Sequence, residues 1–297
     1  MRSFLTLVAL FVFLSFRGLG QQDYNGYFRG MLTVQELIAA EDFGGALNKY
    51  RQLFSQYDRV FASDAFNACQ LAAFSDTASF SYFYYHCARA GVPWKTLSEN
   101  RFIGLHLPLS PDSVYLAGRK IFNASIDTAL RSEFMRRYRK EQDSKNDRKE
   151  FAAVVSDNFN RILDLARKGR FPDERLIGTN DELENGMLLA TLKHQPWSFM
   201  ILQPYISQSI RSGGLQPIGA YYVYGFNQTR TGVLYTDKPG PDTSFYKKRY
   251  NLAFGMSSDN IAEVDRNRKA VYIYSIATQL KLRALSERYG LDFKGDY

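Results

Sequence analysis

The sequence predicts a mainly α-helical protein that carries one small β-hairpin in its C-terminal half. Three observations indicate this class. Apolar residues recur at helical spacing through most of the 297 residues, and a repeat offset relates two neighbouring N-terminal segments. The apolar share of 45% is sufficient for a core, and the 21 Gly and 9 Pro follow no period, which excludes a collagen-like chain.

The first 20 residues have the pattern of a secretory signal peptide. Arg2 precedes an apolar run from Phe4 to Phe16, and the small residues Gly18 and Gly20 follow it. The run is shorter than the ~20 apolar residues that a membrane-spanning helix needs. We therefore predict cleavage near Gly20 and an exported mature chain, periplasmic or secreted, without a transmembrane segment.

The charge pattern argues against nucleic acid as a partner. The chain has 38 Lys plus Arg against 30 Asp plus Glu, a formal charge of +8. Its densest basic run, from Arg136 to Lys149, is interleaved with three acidic residues and followed by Glu150, as on a solvated helix face. Contact with an anionic surface of the cell envelope stays open.

Two segments of the N-terminal half match at an offset of 34 residues, which is typical of paired amphipathic helices. The second unit predicts a helix from Asp64 to Phe74, then a helix that Asp76 caps and that stops at Gly91. A third helical region is expected from Ser113 to Tyr138. The matching pairs are Leu37 with Leu71, Ala39 with Ala73, Asp42 with Asp76, Ala46 with Phe80, and Tyr50 with Tyr84.

The stretches Phe66–Cys69, Ser75–Phe80 and Ala88–Gly91 resemble the tetratricopeptide-like repeats of exported bacterial proteins. The resemblance covers about residues 33–109 and lacks the Trp and Gly-Tyr positions of the family's first helix. It implies a scaffold for protein contacts and no chemistry. We assign residues 21–138 to this domain and the charge-dense residues 139–150 to a connector, helical or flexible.

Residues 151–297 are expected to form a second, mostly helical domain. Ile218–Tyr224 and Thr231–Tyr235 are rich in Tyr, Val and Thr around a polar turn, which predicts the hairpin. Apolar spacing, with glycine or proline at several ends, predicts four helices: Phe151–Lys168, Glu182–His194, Trp197–Arg211 and Asp259–Tyr289.

Short motifs over about residues 140–285 are similar to an uncharacterised bacterial domain family. They include Asp157-Asn158, Gly169–Pro172, Lys193-His194, Ala220–Tyr222 and Val264–Arg268. The chain departs from the family after Ala220, where Tyr222-Val223 stands in place of an acidic-basic pair. This resemblance implies no particular activity.

His194 is the strongest candidate catalytic residue. It ends a predicted helix, where the helix dipole favours a protonated imidazole. Asp265 and Arg266 are the residues expected to support it or to bind an anion. The three histidines have no metal-ligand spacing, and no nucleophile or phosphate-loop motif is present, so no metal or cofactor is predicted.

Cys69 and Cys87 are the only cysteines. Counted from Ser75, their offsets differ by roughly 9 Å along paired helices, more than the ~4.4 to 6.8 Å between bonded Cα atoms. Two buried free thiols are expected. Two hypotheses of function follow from the whole sequence: an exported module that binds a protein partner, or an envelope hydrolase with its site around His194 in residues 151–297.

Overall fold

A computed structural model describes residues 22–180, 186–234, 252 and 260–294, with residues 228–234 as backbone only. In this part of the chain there are fourteen α-helices, three short 3₁₀ helices and no strand. The predicted mainly α-helical class is therefore confirmed. The predicted signal peptide lies outside the described residues, and export stays a prediction.

The N-terminal helices pack in the order of the chain. Helix α1 packs on α2, α2 on α3, α3 on α4, and α4 on α6. Their core is rich in aromatic side chains, with Tyr27, Phe61 and Phe83 fully buried. The bounds are α1 Asn25–Ala39, α2 Phe43–Gln56, α3 Ala62–Ser75, α4 Phe80–Ala90, α5 Trp94–Glu99 and α6 Ser113–Ser125.

Local signals place most of these helix ends. Asp42 accepts a hydrogen bond from the backbone N–H of Gly45 at 2.9 Å and so caps α2. Gly91 ends α4 with a φ of 94°, a left-handed conformation that favours glycine. Asp76 departs from its predicted role, because a 3₁₀ turn, Thr77–Ser79, intervenes and its carboxylate accepts from the Ser79 hydroxyl.

The C-terminal helices surround α10, which packs against α7, α8, α11 and α12. Because it has neighbours on several sides, α10 is apolar over most of its surface, with Met187, Leu188 and Leu192 buried. The bounds are α7 Thr128–Asp143, α8 Arg148–Arg167, α9 Glu174–Ile177, α10 Gly186–His194, α11 Ser198–Arg211, α12 Pro217–Leu234, α13 Ile261–Ala270 and α14 Ile276–Tyr289.

The predicted β-hairpin is wrong. The first predicted strand, Ile218–Tyr224, lies in helix α12. The second begins at Thr231 in the same helix, which runs on to Leu234; its last residue, Tyr235, lies outside the described residues. Ala220, Val223 and Asn227 are buried at helical spacing against α10 and α11. Burial along one helix face outweighs the strand preference of Tyr, Val and Thr.

One predicted helical region and one long predicted helix are each divided in two. The region Ser113–Tyr138 breaks between α6 and α7, where Asp127 accepts from the backbone N–H of Leu130 at 2.9 Å and starts a new helix. The final predicted helix breaks at residues 271–275. Ile273 and Tyr274 are buried there, and Ser275 caps α14, so this apolar turn between two helices has the composition of a helix interior.

Contacts join the two predicted domains. The Tyr24 backbone N–H donates to the Arg211 carbonyl at 2.8 Å, and the Tyr289 hydroxyl donates to Glu41 at 2.6 Å. Residues 139–143 of the predicted connector continue α7. The domain boundary stays a prediction. None of the helices in the described part of the chain has the length and hydropathy needed to cross a membrane.

Cys69 and Cys87 are buried and unbonded, as predicted. The predicted axial separation is wrong, because the Cys69 and Cys87 thiols lie within hydrogen-bond reach of each other. From the helix ends, Cys69 lies 75 − 69 = 6 residues back and Cys87 lies 87 − 80 = 7 residues on. Burial, and then a hydrogen bond with the Cys69 thiol, raises the pKa of Cys87 well above its usual range.

Candidate functional site

A buried carboxylate lies where α7, α8 and α10 meet. Glu141 is in the last turns of α7, in a sequence otherwise dominated by exposed charged side chains, yet its side chain is 0% exposed. It occupies the buried face of α7 together with Leu130 and Phe134. An isolated buried carboxylate is costly, so its partners determine whether it can be charged.

Three side chains donate to Glu141 from the two neighbouring helices. On α10, His194 Nδ1 lies 2.8 Å from Glu141 Oε1, and the Thr191 hydroxyl donates to Oε2 at 2.6 Å. Thr191 and His194 are three residues apart, so they project from the same face of the helix. On α8, Asn158 Nδ2 donates to Oε2 at 2.9 Å. Both carboxylate oxygens are thereby satisfied by protein groups.

The pKa of Glu141 is lowered despite its burial. Burial alone acts to raise it, and this is the largest single influence. Hydrogen bonds from His194, Thr191 and Asn158, with the charge interaction of His194, together outweigh that influence. Glu141 is therefore an ionised, fully hydrogen-bonded carboxylate at neutral pH.

The charge on Glu141 assigns the tautomer of His194. A carboxylate accepts only, so Nδ1 carries a proton and, in the neutral ring, Nε2 is left with its lone pair. The His194 side chain is 16% exposed and packs edge to face against Phe151, with ring centroids 5.1 Å apart. In the described residues, no hydrogen bond to Nε2 is found. The arrangement can accept or deliver a proton at Nε2.

Asp265 and Arg266, the expected supports of His194, lie on α13. Asp265 Oδ1 accepts from the backbone N–H of Ile276 at 2.8 Å and so joins α13 to the start of α14. Within residues 22–180, 186–234, 252 and 260–294, no hydrogen bond or ion pair links His194 to either residue. The catalytic roles assigned to His194, Asp265 and Arg266 stay predictions.

Sequence reasoning missed Glu141, the partner that His194 does have. Residues 139–150 were interpreted as a charged connector because almost every side chain in them is polar. Leu130, Phe134 and Glu141 follow helical spacing on one face, at i, i+4 and i+11. Extending the apolar periodicity of α7 into the charged segment would have marked Glu141 as an acid on a buried face.

No group of three His, Cys, Asp or Glu side chains that could hold a metal ion occurs in the described part of the chain. Comparisons of the whole sequence and structure with protein-family models, curated proteins and solved structures found no match.

Proposed function

We propose that the helices around α10 form the acid–base centre of a hydrolase, with His194 as its general base and Glu141 as the residue that positions it. The observation that carries this proposal is the 2.8 Å contact between His194 Nδ1 and the buried, ionised Glu141. A carboxylate in this position fixes the imidazole tautomer and stabilises the imidazolium that forms when Nε2 takes a proton.

The chemistry is activation of water. His194 Nε2 removes one proton from a water molecule while the water oxygen bonds to the electrophilic centre of an ester, amide or phosphoester. The bond to the leaving group then breaks, and the imidazolium returns the proton to it. Glu141 stays ionised throughout, since its role is to hold the ring and to balance its charge.

The test is hydrolysis of p-nitrophenyl acetate, p-nitrophenyl phosphate and a labelled casein by the mature chain from residue 21. We expect H194Q to abolish turnover of the accepted substrate and E141Q to lower kcat by ~10²- to 10⁴-fold with little change in KM. H106Q is the matched control, because His106 is exposed in a separate 3₁₀ turn.

Two results would contradict the proposal: no hydrolysis above the H194Q background with any substrate, or equal activity of H194Q and H106Q. A readout independent of substrate is the ¹⁵N NMR spectrum of the His194 ring. We expect the Nδ1-protonated tautomer in the neutral ring. A ring protonated on Nε2 would remove the basis of the mechanism.

A second candidate function is an exported module that binds a protein partner. It is favoured by exposed apolar side chains between α5 and the end of α6, where Leu105 is 79% exposed and Leu116 57% exposed. Tetratricopeptide-like pairing of α1 with α2 and of α3 with α4 would present such a surface. Crosslinking in the native envelope tests this function, and it should capture less of the partner with an L105S/L116S variant than with wild type. Mass spectrometry of the mature N-terminus separately tests cleavage near Gly20.

A further inference from the structure

The segment that follows α14, residues 291–294, lies against helix α3 and is held there by two buried amide side chains. Asn67 and Gln70 are three residues apart on α3, so they project from the same face of the helix. They precede the residues that they contact by 222 to 227 positions. A buried amide is costly unless it is hydrogen-bonded, so this face of α3 is suited to a backbone that lies along it.

Both amides bond the backbone of the segment and not its side chains. Asn67 Nδ2 donates to the Lys294 carbonyl at 2.9 Å, and the Lys294 backbone N–H donates to Asn67 Oδ1 at 2.8 Å. The Asp292 backbone N–H donates to Gln70 Oε1 at 2.8 Å. In an extended chain, N–H groups two residues apart point to the same side. Asn67 and Gln70 therefore act as a neighbouring strand would, and we call the surface that they form with Phe66 the α3 groove.

The side chains of the segment indicate which sequences the α3 groove accepts. Leu291 is buried, and Phe293 packs against the core. Lys294 Nζ lies 5.8 Å from the ring centroid of Phe66, in a cation–π contact. In the described part of the chain, the ion pair of this segment joins Lys294 to its own Asp292 at 2.6 Å. The groove thus favours two apolar side chains two residues apart, followed by a cation.

The segment is separable from the helix before it and does not fill the space around it. The backbone N–H of Gly290 donates to the Ser286 carbonyl at 2.8 Å and ends α14, so departure of the segment breaks no hydrogen bond of that helix. Cavities of about 50 and 20 Å³ flank Lys294. Larger side chains that enter these spaces would pack more closely than those of the segment itself.

From this geometry we infer that the α3 groove is a docking site for an extended segment of a partner protein, and that residues 291–294 occupy it as an internal ligand. The partner supplies the same pattern of an apolar residue, any residue, an aromatic residue and a basic residue. Its backbone replaces that of the internal segment on Asn67 and Gln70, because main-chain hydrogen bonds give affinity while side-chain pockets give specificity. The inference goes beyond both proposed functions, since it uses neither His194 nor the exposed leucines.

The test is binding of a fluorescein-labelled peptide with the sequence of residues 290–295, GLDFKG, to the mature chain, residues 21–297. Fluorescence anisotropy measures the affinity. In D292P/K294P the internal segment lacks both backbone N–H donors, so it no longer holds the groove. We expect this variant to bind the peptide 1:1 and at least tenfold more tightly than wild type, in which the internal ligand competes at high effective concentration.

Two controls assign the binding to the groove. Added to D292P/K294P, N67L should weaken peptide binding at least tenfold, whereas N123L, at an exposed asparagine on α6, should leave it within twofold. A peptide that carries the same two proline substitutions should not bind. Absence of saturable binding by D292P/K294P, or equal binding after N67L and N123L, would overturn the inference.

Hydrogen exchange of the wild-type chain gives a second measurement, which decides the question if D292P/K294P does not fold. We expect the amides of residues 292 and 294 to exchange at least tenfold faster than the most protected amides of α3 and α14. Excess peptide should raise the exchange rate of these two amides alone. Protection equal to that of the two helices, unchanged by peptide, would make the segment a permanent part of the core and refute its displacement. A wild-type dimer in sedimentation that D292P/K294P abolishes would overturn the assignment to another protein in favour of a second copy.

Discussion

Two buried acids in this protein, Glu141 and Asp64, have opposite properties. Glu141 is held among α7, α8 and α10, and its pKa is lowered. Asp64, in the first turn of α3, is also buried, but its pKa is raised from its usual value of 3.8 to about 7. Both carboxylates are removed from water, so burial by itself does not explain the difference.

The hydrogen-bond donors explain it. Asp64 accepts from the Tyr27 hydroxyl at 2.8 Å and, at a longer 3.4 Å, from Gln216 Nε2, and both donors are neutral. Glu141 has three donors at 2.9 Å or less, and one of them, His194, can carry a charge. In this fold a buried acid is ionised where several short hydrogen bonds outweigh burial, and it takes up a proton where they do not.

Removal of the Glu141 carboxylate should have the largest effect on stability. We expect E141L to lower the free energy of unfolding by about 3 to 5 kcal/mol at pH 7, because Asn158, Thr191 and His194 lose a buried, charged acceptor together. Urea denaturation measures this. E287L, at an exposed glutamate on α14, should change stability by less than ~0.5 kcal/mol. A loss of similar size in both variants would refute the buried-charge argument.

Asp64 should make stability fall as pH rises. Its folded pKa is raised, so the folded state holds a proton that the unfolded state has released between about pH 4 and pH 7, and stability declines over that window. The difference between the folded and the unfolded pKa of Asp64 corresponds to a change in the free energy of unfolding of at most ~4 kcal/mol, at ~1.4 kcal/mol per pKa unit.

The D64N variant lacks this titration and serves as the comparison. Its stability relative to wild type should rise from pH 4 to pH 8 in parallel urea titrations. The E141Q variant should show the opposite pH dependence. Wild type should be more stable than E141Q at neutral pH, and this difference in stability should be lost only as the pH falls through the lowered pKa of Glu141. A wild-type minus D64N difference that is flat from pH 4 to pH 8 would show that Asp64 is ionised like Glu141.

T191V should have an intermediate effect. Valine has nearly the shape of threonine but no hydroxyl, so Glu141 loses one of its three donors while the packing of α10 is kept. A hydrogen bond to a charged group contributes about 1.5 to 3 kcal/mol, and we expect a loss in this range at pH 7. T33V is the control, because Thr33 is exposed on α1. Equal stability of T191V and T33V by urea denaturation would contradict the assigned network.

Y27F should have the smallest effect, provided that it is measured at pH 5, where Asp64 is protonated. The lost hydrogen bond is then between neutral groups, which contributes about 0.5 to 1.5 kcal/mol. At pH 8 the acceptor is charged and the loss should grow. Y85F, which removes a hydroxyl from a half-buried tyrosine on α4, is the control. A Y27F effect that is independent of pH would separate Tyr27 from the titration of Asp64.

Local signals in the sequence predicted several helix ends correctly. Gly91, Gly169 and Gly290 all adopt the left-handed conformation expected after a helix, and the predicted helix Phe151–Lys168 matches α8 closely. The breaks between α6 and α7 and between α13 and α14 were missed, because apolar residues in a buried turn have the same composition as a helix interior. The predicted hairpin failed for a related reason: preference for strands is weak beside burial along a helix.

The candidate site was only half predictable. His194 was singled out by its place at the end of a helix, and the predicted helix end is confirmed. Its partner lies 53 residues earlier in the chain, in a segment whose composition indicates exposure. The sequence favours Asp265 instead, and that side chain accepts from the backbone N–H of Ile276 at the start of α14. Sequence spacing carries no information on which of several acids a histidine will meet.

By itself the sequence determined the helical class, the main helix-ending glycines and the amphipathic faces, because these depend on residues within a few turns of one another. Only the tertiary structure decided which acid is ionised, which segment binds the amides of α3 and which thiols meet. Those properties depend on the number of donors and on the amount of water excluded when distant helices pack together. Both are set by contacts between residues far apart in the chain, such as Glu141 with His194 and Asp58 with Arg175.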